Sequence, residues 1–210
     1  MSALPQRRRQ VDRSAETQAA LIQAAIDCLR TDGYAGAATA SIAKRAGVTT
    51  GALHHHFATK DDLMIGVFDH CNARVGEKLG AAQRGQPTKS IDLAGLVQHL
   101  WEVYGDPEYW AIWEIIIGTR GDELFHRRVV AHRLATMRDL VRPWAAQLGA
   151  SEALRPAVAE LIEFMLIAIR GLSLERFLHQ DPGYFQRNLA LLAELVSTKL
   201  KGLTAQAAAG

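Results

Sequence analysis

Apolar residues recur at three- and four-residue intervals along nearly the whole chain, and no run alternates apolar with polar residues for long enough to make a strand. A chain patterned this way folds as helices packed on helices. Its 210 residues are 49% hydrophobic, which supplies a core for one mid-sized domain or for a small domain joined to a larger one. The first periodic segment carries Ala20, Leu21, Ala24, Ala25, Cys28 and Leu29 on its apolar face and ends at Asp32-Gly33-Tyr34. Another helix opens at Thr59, with Asp61 and Asp62 where the dipole favours acids, and runs through Leu63, Val67, Phe68 and Cys71 toward Leu79. Gly85-Gln86-Pro87-Thr88 is the clearest linker. Beyond it, Ser90 begins a helix reaching Tyr104, Asp106-Pro107 starts the next, and a long one covers Asp122 to Leu148, bent or interrupted at Pro143. Ser151 caps a helix running to about His179, and Asp181-Pro182 starts a last helix ending near Gly202, before a frayed tail over 204–210.

Between the first of these helices and Thr59 lies a shorter pair. Ile42, Ala43 and Ala46 precede Gly47, Val48 and Leu53 point back toward them, and Phe57 closes the cluster. Two helices crossing steeply need a small residue at the contact and one tolerant of positive φ at the bend, and Ala43 and Gly47 meet those needs. Thr39 and Thr49 stand where N-caps accept from backbone donors, and both hydroxyls are placed to meet phosphates. This is a helix-turn-helix, a unit that reads DNA.

Residues 14–70 resemble the DNA-binding domain of the TetR family of transcriptional regulators. The resemblance is carried by Thr39, Ile42, Ala43, Ala46, Gly47, Val48, Thr49, Gly51, Leu53, Phe57, Lys60 and Leu63, all at the family's offsets. It implies an all-α protein with an N-terminal three-helix helix-turn-helix domain and a larger C-terminal helical domain for ligand binding and dimerisation. The expected division is a basic arm over 1–13, the DNA-binding domain over 14–60, the effector and dimerisation domain over 61–203 and a flexible tail over 204–210. Where the family most often has tyrosine, at a position that contacts phosphate, this chain has His54, followed by His55 and His56. An imidazolium donates to phosphate better than neutral imidazole, so DNA affinity is expected to depend on pH near neutrality. A metal site is the rival reading of three histidines, but adjacent helical residues project about 100° apart and do not converge on one ion. No metal and no cofactor is expected.

The recognition helix is expected from Thr50 to about His56, exposing Thr50, Gly51, Ala52, His54 and His55. Without Arg, Asn or Gln for bidentate base contacts, specificity leans on thymine methyl groups, on Lys44 and on DNA shape. Lys60, Thr39 and the three histidines are the phosphate candidates. Charge is divided accordingly: residues 1–60 hold eight Lys/Arg against four Asp/Glu, a net of +4, whereas residues 61–210 are at −2. Arg7, Arg8, Arg9 and Arg13 form an arm that either lies on the DNA or merely solubilises the chain. No apolar run follows the arginines, and Glu163, Arg170, Glu175 and Arg176 interrupt the longest apolar stretch, so a cytoplasmic protein with no membrane partner is expected. Cys28 and Cys71 read as buried reduced thiols.

The last two long helices carry apolar residues on more than one face: Phe164, Ile167, Leu174, Phe177 and Leu178 lie beside the stripe of Val158, Ile162, Met165 and Ile169. A surface helix needs one buried stripe, so these helices are expected to pair with their copies as a homodimer. A two-fold dimer matches palindromic operator DNA. Trp101, Tyr104, Trp110 and Trp113 suit a cavity for a small, largely apolar effector and suit a plain core equally. The resemblance implies an effector site in this domain, so these four with Ile117, Met137, Phe164 and Met165 are its expected lining, and Arg120, Glu163 and Arg170 its polar anchors. A repressor released by its effector follows from that resemblance. The competing classes are a helical metal-dependent enzyme, for which no HxxxH or HExxH pair is present, and a protein-binding module, which leaves the basic arm unexplained.

Overall fold

The computed structural model describes residues 4–83, 93–148 and 152–209, and these hold helices and turns without a strand. The helices are α1 (Leu4–Gly36), α2 (Thr39–Arg45), α3 (Thr50–His56), α4 (Lys60–Gln83), α5 (Leu93–Tyr104), α6 (Trp110–Gly118), α7 (Glu123–Leu148), α8 (Arg155–Leu174) and α9 (Pro182–Ala209). They fall into two compact units. One comprises the chain up to Cys71 with Pro107–Arg133, the other Asn72–Asp106 with the chain from Leu134 onward. The first unit thus holds α6 and the first part of α7 together with α1 to α3.

In the first unit α1 buries Leu21, Ala24, Ala25, Cys28 and Leu29, while Ala20 is exposed, one step outside the stripe. The regular helix breaks at Gly33, whose φ of 69° suits a residue without Cβ. Thr59 caps α4 by accepting from the Asp62 N–H at 3.1 Å while its hydroxyl donates to the Asp62 carboxylate at 2.8 Å. Asp122 caps α7 through the Phe125 N–H at 3.1 Å. Ala111, Ile112 and Ile115 of α6 are buried, and α6 lies along α1.

In the second unit α5, α8 and α9 pack on one another. Leu93, Leu96, Val97, Leu100, Val103 and Tyr104 form the buried stripe of α5, at the i, i+3, i+4, i+7 spacing of a single helical face. Each such side chain contributes about 1.5–3 kcal/mol of transfer free energy. On α8 the stripe is Val158, Ile162, Met165, Leu166 and Ile169. Asp181 caps α9 through the Gly183 N–H at 2.8 Å, with Pro182 as the first helical residue.

Three expected boundaries move, while α7 keeps its expected span. Pro143 does not interrupt α7, which runs through it to Leu148. Helix α8 stops at Leu174 and a 3₁₀ turn, Glu175–Phe177, carries the chain on, so the helix does not reach His179. Helix α9 continues past Gly202 to Ala209, making most of the expected tail helical, with the Thr204 hydroxyl donating to the Leu200 carbonyl at 3.1 Å. At the other end, α1 begins at Leu4, within the expected arm. The linker at Gly85–Thr88 and the caps at Ser90 and Ser151 lie outside the described residues.

Candidate nucleic-acid interface

Helix α2 is only seven residues long, and its C-terminus is closed by Gly47 at φ 71°. Two hydrogen bonds make that turn. Val48 N–H donates to the Ala43 carbonyl at 3.0 Å and Gly47 N–H to the Lys44 carbonyl at 3.2 Å, the paired pattern of a left-handed helix cap. The chain then enters α3 through Thr49, whose hydroxyl accepts from the Ala52 N–H at 3.1 Å. Thr39 is different. The N-cap of α2 is Ala38, without a side-chain cap, and Thr39 is the first helical residue, half-buried.

Leu53 and Phe57, four residues apart, are buried and set the rotation of α3 about its axis. That rotation leaves Thr50, Gly51, His54 and His55 exposed, with Ala52 and His56 half-buried, and Lys44 exposed on α2. A Cβ on Gly51 would meet nothing nearer than the Thr49 hydroxyl at 3.8 Å. Nothing inside the fold requires a glycine there. The imidazoles of His55 and His56 meet edge to face at 5.4 Å, and His54 Nδ1 lies 3.3 Å from the Ala58 carbonyl oxygen.

Lys60 is turned into the fold. Its Nζ donates to the Tyr34 carbonyl at 3.0 Å and lies 4.1 Å from the centroid of the Tyr34 ring, and burial lowers its pKa. Tyr34 is held from its other side by Glu114 of α6, which accepts from the Tyr34 N–H at 3.1 Å and from the Trp110 indole at 2.9 Å. Arg45 ties α2 to the end of α1 through Thr31 at 3.2 Å and Asp32 at 3.3 Å. Asp62 pairs with Arg128 of α7 at 2.8 Å, which holds its carboxyl below the usual range. Tyr34 and Glu114 escaped the sequence reading because Asp32-Gly33-Tyr34 signals only a helix end. Their partners lie far along the chain, where no local spacing shows them.

A two-helix unit with a short glycine turn, a capped second helix and an exposed face of small and imidazole side chains has the shape of a DNA-reading element. The profile of the bacterial regulatory proteins of the tetR family matches residues 21–67, spanning α2, α3 and their supports. The chain is a TetR-family transcriptional regulator. The HTH-type transcriptional regulator CymR of Pseudomonas putida is 26% identical over 186 residues, covering 87% of this chain and 90% of CymR. A TetR-family member from Streptomyces coelicolor A3 shares the fold with a TM-score of 0.59 at 26% identity, covering 86% of this chain and 98% of that one. The multidrug binding protein EbrR, solved with imidazole, shares it with a TM-score of 0.58 at 22% identity over 85% of this chain and 93% of that one. The regulator is thus a DNA-binding protein of the TetR type.

The effector residues expected for this TetR-family regulator are distributed over both compact units. Trp110, Trp113, Ile117 and Arg120 belong to the first, and Trp101, Tyr104, Met137, Glu163, Phe164, Met165 and Arg170 to the second. Arg120, Glu163 and Phe164 are exposed, Tyr104 and Met165 are buried, and Arg170 donates to the Met137 sulfur at 3.1 Å. The Trp113 indole nitrogen is buried with no hydrogen-bond partner among the described residues. The second unit has a cleft of about 270 Å³, and Trp101 alone of the expected residues lines it. There Trp101 stacks on Phe185 at 5.2 Å, and the Arg176 guanidinium lies 5.8 Å and 5.9 Å from the two ring centroids. Among the described residues no three His, Cys, Asp or Glu side chains gather as a metal site, and no helix is long and apolar enough to cross a membrane.

Proposed function

We propose that the regulator is a repressor that binds a palindromic operator as a homodimer and leaves it when a small, largely apolar effector binds. The observation that carries this reading is the face of α3: Leu53 and Phe57 point inward, and Thr50, Gly51, His54 and His55 remain exposed on a helix short enough to enter a major groove. Thr50, Gly51 and Ala52 meet base edges, Thr39, Lys44, Thr49, His54, His55 and His56 meet phosphate or groove atoms, and Lys60 positions the end of α1 instead of contacting phosphate. The protein acts in the cytoplasm, beside the DNA that it controls.

Dimerisation is supported by Phe164 and Ile167 on α8 and Leu191 and Leu195 on α9, which are 54%, 59%, 53% and 54% exposed in the single chain. Residues three or four apart share a helical face, so each helix presents an apolar strip to a copy of itself. A dimer sets its two α3 helices about 34 Å apart, or somewhat more, one groove repeat along the operator. Release follows if the effector favours a dimer whose spacing misses that repeat. EbrR, solved with imidazole, supports a small-molecule site on this fold. Trp113 supplies a donor for such a ligand on α6, the helix that lies along α1 and holds Tyr34 through Glu114.

The test is binding to the intergenic DNA beside the gene for this chain, by fluorescence anisotropy over a range of salt with unrelated DNA as control. Tight, salt-sensitive binding confined to the upstream fragment, lost in Thr50→Ala, is the expected result. Equal, weak binding to both fragments overturns operator recognition.

A further inference from the structure

The three histidines of α3 are chemically distinct. His54 Nδ1 lies 3.3 Å from the Ala58 carbonyl oxygen, an atom with no proton to give, so Nδ1 is the donor. Neutral His54 is therefore the Nδ1–H tautomer, with a bare lone pair on Nε2. Neither His55 nor His56 has a ring nitrogen hydrogen-bonded among the described residues, and each is free to present a donor N–H while neutral.

In the major groove DNA offers mainly acceptors to such a ring: phosphate oxygens at its edges, purine N7, guanine O6 and thymine O4, against amino donors only on adenine and cytosine. A lone pair facing acceptors is repelled. Protonation at Nε2 converts the same atom into a charged donor and leaves the bond to Ala58 intact. The charged groups around α3 offer no competing anion. His55 and His56 share its helix, α2 packed against it carries Lys44 and Arg45, and Arg45 is paired with Asp32. At the start of α4, Lys60 is engaged by Tyr34, and Asp62 by Thr59 and Arg128; Asp61 is half-buried, and neither Asp61 nor Asp62 bonds or pairs with His54 among the described residues. From this we infer that His54 engages DNA as the imidazolium, so that binding takes up a proton at each protomer wherever the free imidazole is neutral. The inference rests on the DNA-binding reading and adds to it the group that makes affinity depend on pH.

The experiment uses the full chain, a mixed-sequence duplex and the upstream intergenic duplex, with anisotropy at fixed low salt from pH 6 to pH 8 and circular dichroism to verify folding at each pH. One proton taken up gives a slope of about one log unit of affinity per pH unit, and a dimer approaches about two. The wild type is expected to weaken at least fivefold across this range, on both duplexes if the acceptor is a phosphate and only on the upstream duplex if it is a base. His54→Gln is expected to lose most of the slope, whereas His55→Gln and His56→Gln keep it. His54→Tyr, a neutral donor throughout, is expected to lose the slope while holding affinity at pH 8. Nitrogen-15 NMR of the free protein is expected to show His54 protonated at Nδ1 in its neutral form. An unchanged slope in His54→Gln, or an Nε2–H tautomer, overturns the inference while leaving the regulator reading standing. Failure of the wild type to bind either duplex at any pH overturns both.

Discussion

Replacing Gly118 with alanine opposes two effects that the structure lets us weigh. Gly118 ends α6 in ordinary right-handed geometry, φ −69° and ψ −27°, so helix propensity alone predicts a gain of about 0.8–1 kcal/mol. An added Cβ would overlap Cβ and Cγ of Tyr34 and come within 2.7 Å of its Cδ1. A flexible side-chain end yields cheaply, but a Cβ moves only with its backbone. The backbone of Tyr34 is held at both ends, its N–H by Glu114 at 3.1 Å and its carbonyl by Lys60 at 3.0 Å. Overpacking of this kind costs about 1–3 kcal/mol, and the clash against anchored backbone puts the cost toward the upper end. Gly118→Ala should therefore destabilise by about 1–2 kcal/mol, lowering Tm by about 2–8 °C. Urea and thermal unfolding of the wild type, Gly118→Ala, Tyr34→Ala and the double variant provide the measurement. The double variant should lose somewhat less than the sum of the singles, because removing the ring relieves the contacts with Cγ and Cδ1 while the contact with Cβ and both backbone hydrogen bonds remain. A Gly118→Ala protein as stable as wild type, or strictly additive variants, refutes the reasoning.

At the turn, Gly47→Ala costs about 1 kcal/mol from left-handed strain alone, since nothing lies within 4 Å of the added Cβ, and unfolding curves read it directly. Gly51→Ala leaves stability unchanged or slightly raised and weakens operator binding, a split that anisotropy and urea melts together reveal. Burial first, and Asp122 second, raise the pKa of Asp61. A raised folded pKa contributes stability below the unfolded value that is lost as pH rises through the folded one, so Asp61→Asn should stabilise at pH 7 and lose that advantage in acid-side melts. On the proposed homodimer, Phe164→Asp should leave only monomers in sedimentation velocity and cut operator affinity at least tenfold, while the far-ultraviolet circular dichroism of the chain is retained.

Much of the helix-turn-helix was legible because its signals are local. The Gly47 bend, the Thr49 cap, the extent of α3 and the inward pair Leu53 and Phe57 are each decided within four residues, by the forbidden regions of φ/ψ space and the 3.6-residue turn. The caps at Thr59 and Asp181 were readable for the same reason. Tertiary structure decided what depends on residues distant in sequence. Lys60 matches a phosphate-contacting position in its local pattern, yet its ammonium turns to the carbonyl of Tyr34, twenty-six residues earlier. Aromatic spacing placed Trp101, Tyr104, Trp110 and Trp113 together, yet the break after Asp106 sends the first pair and the second pair to different compact units. Helix α6 reads as part of a C-terminal domain, and its packing along α1, with Glu114 on the Tyr34 amide, draws it into the DNA-reading unit. Periodicity says which face of a helix is buried. Which neighbour buries it is settled by the summed contacts of the folded chain, and no short window of residues contains that sum.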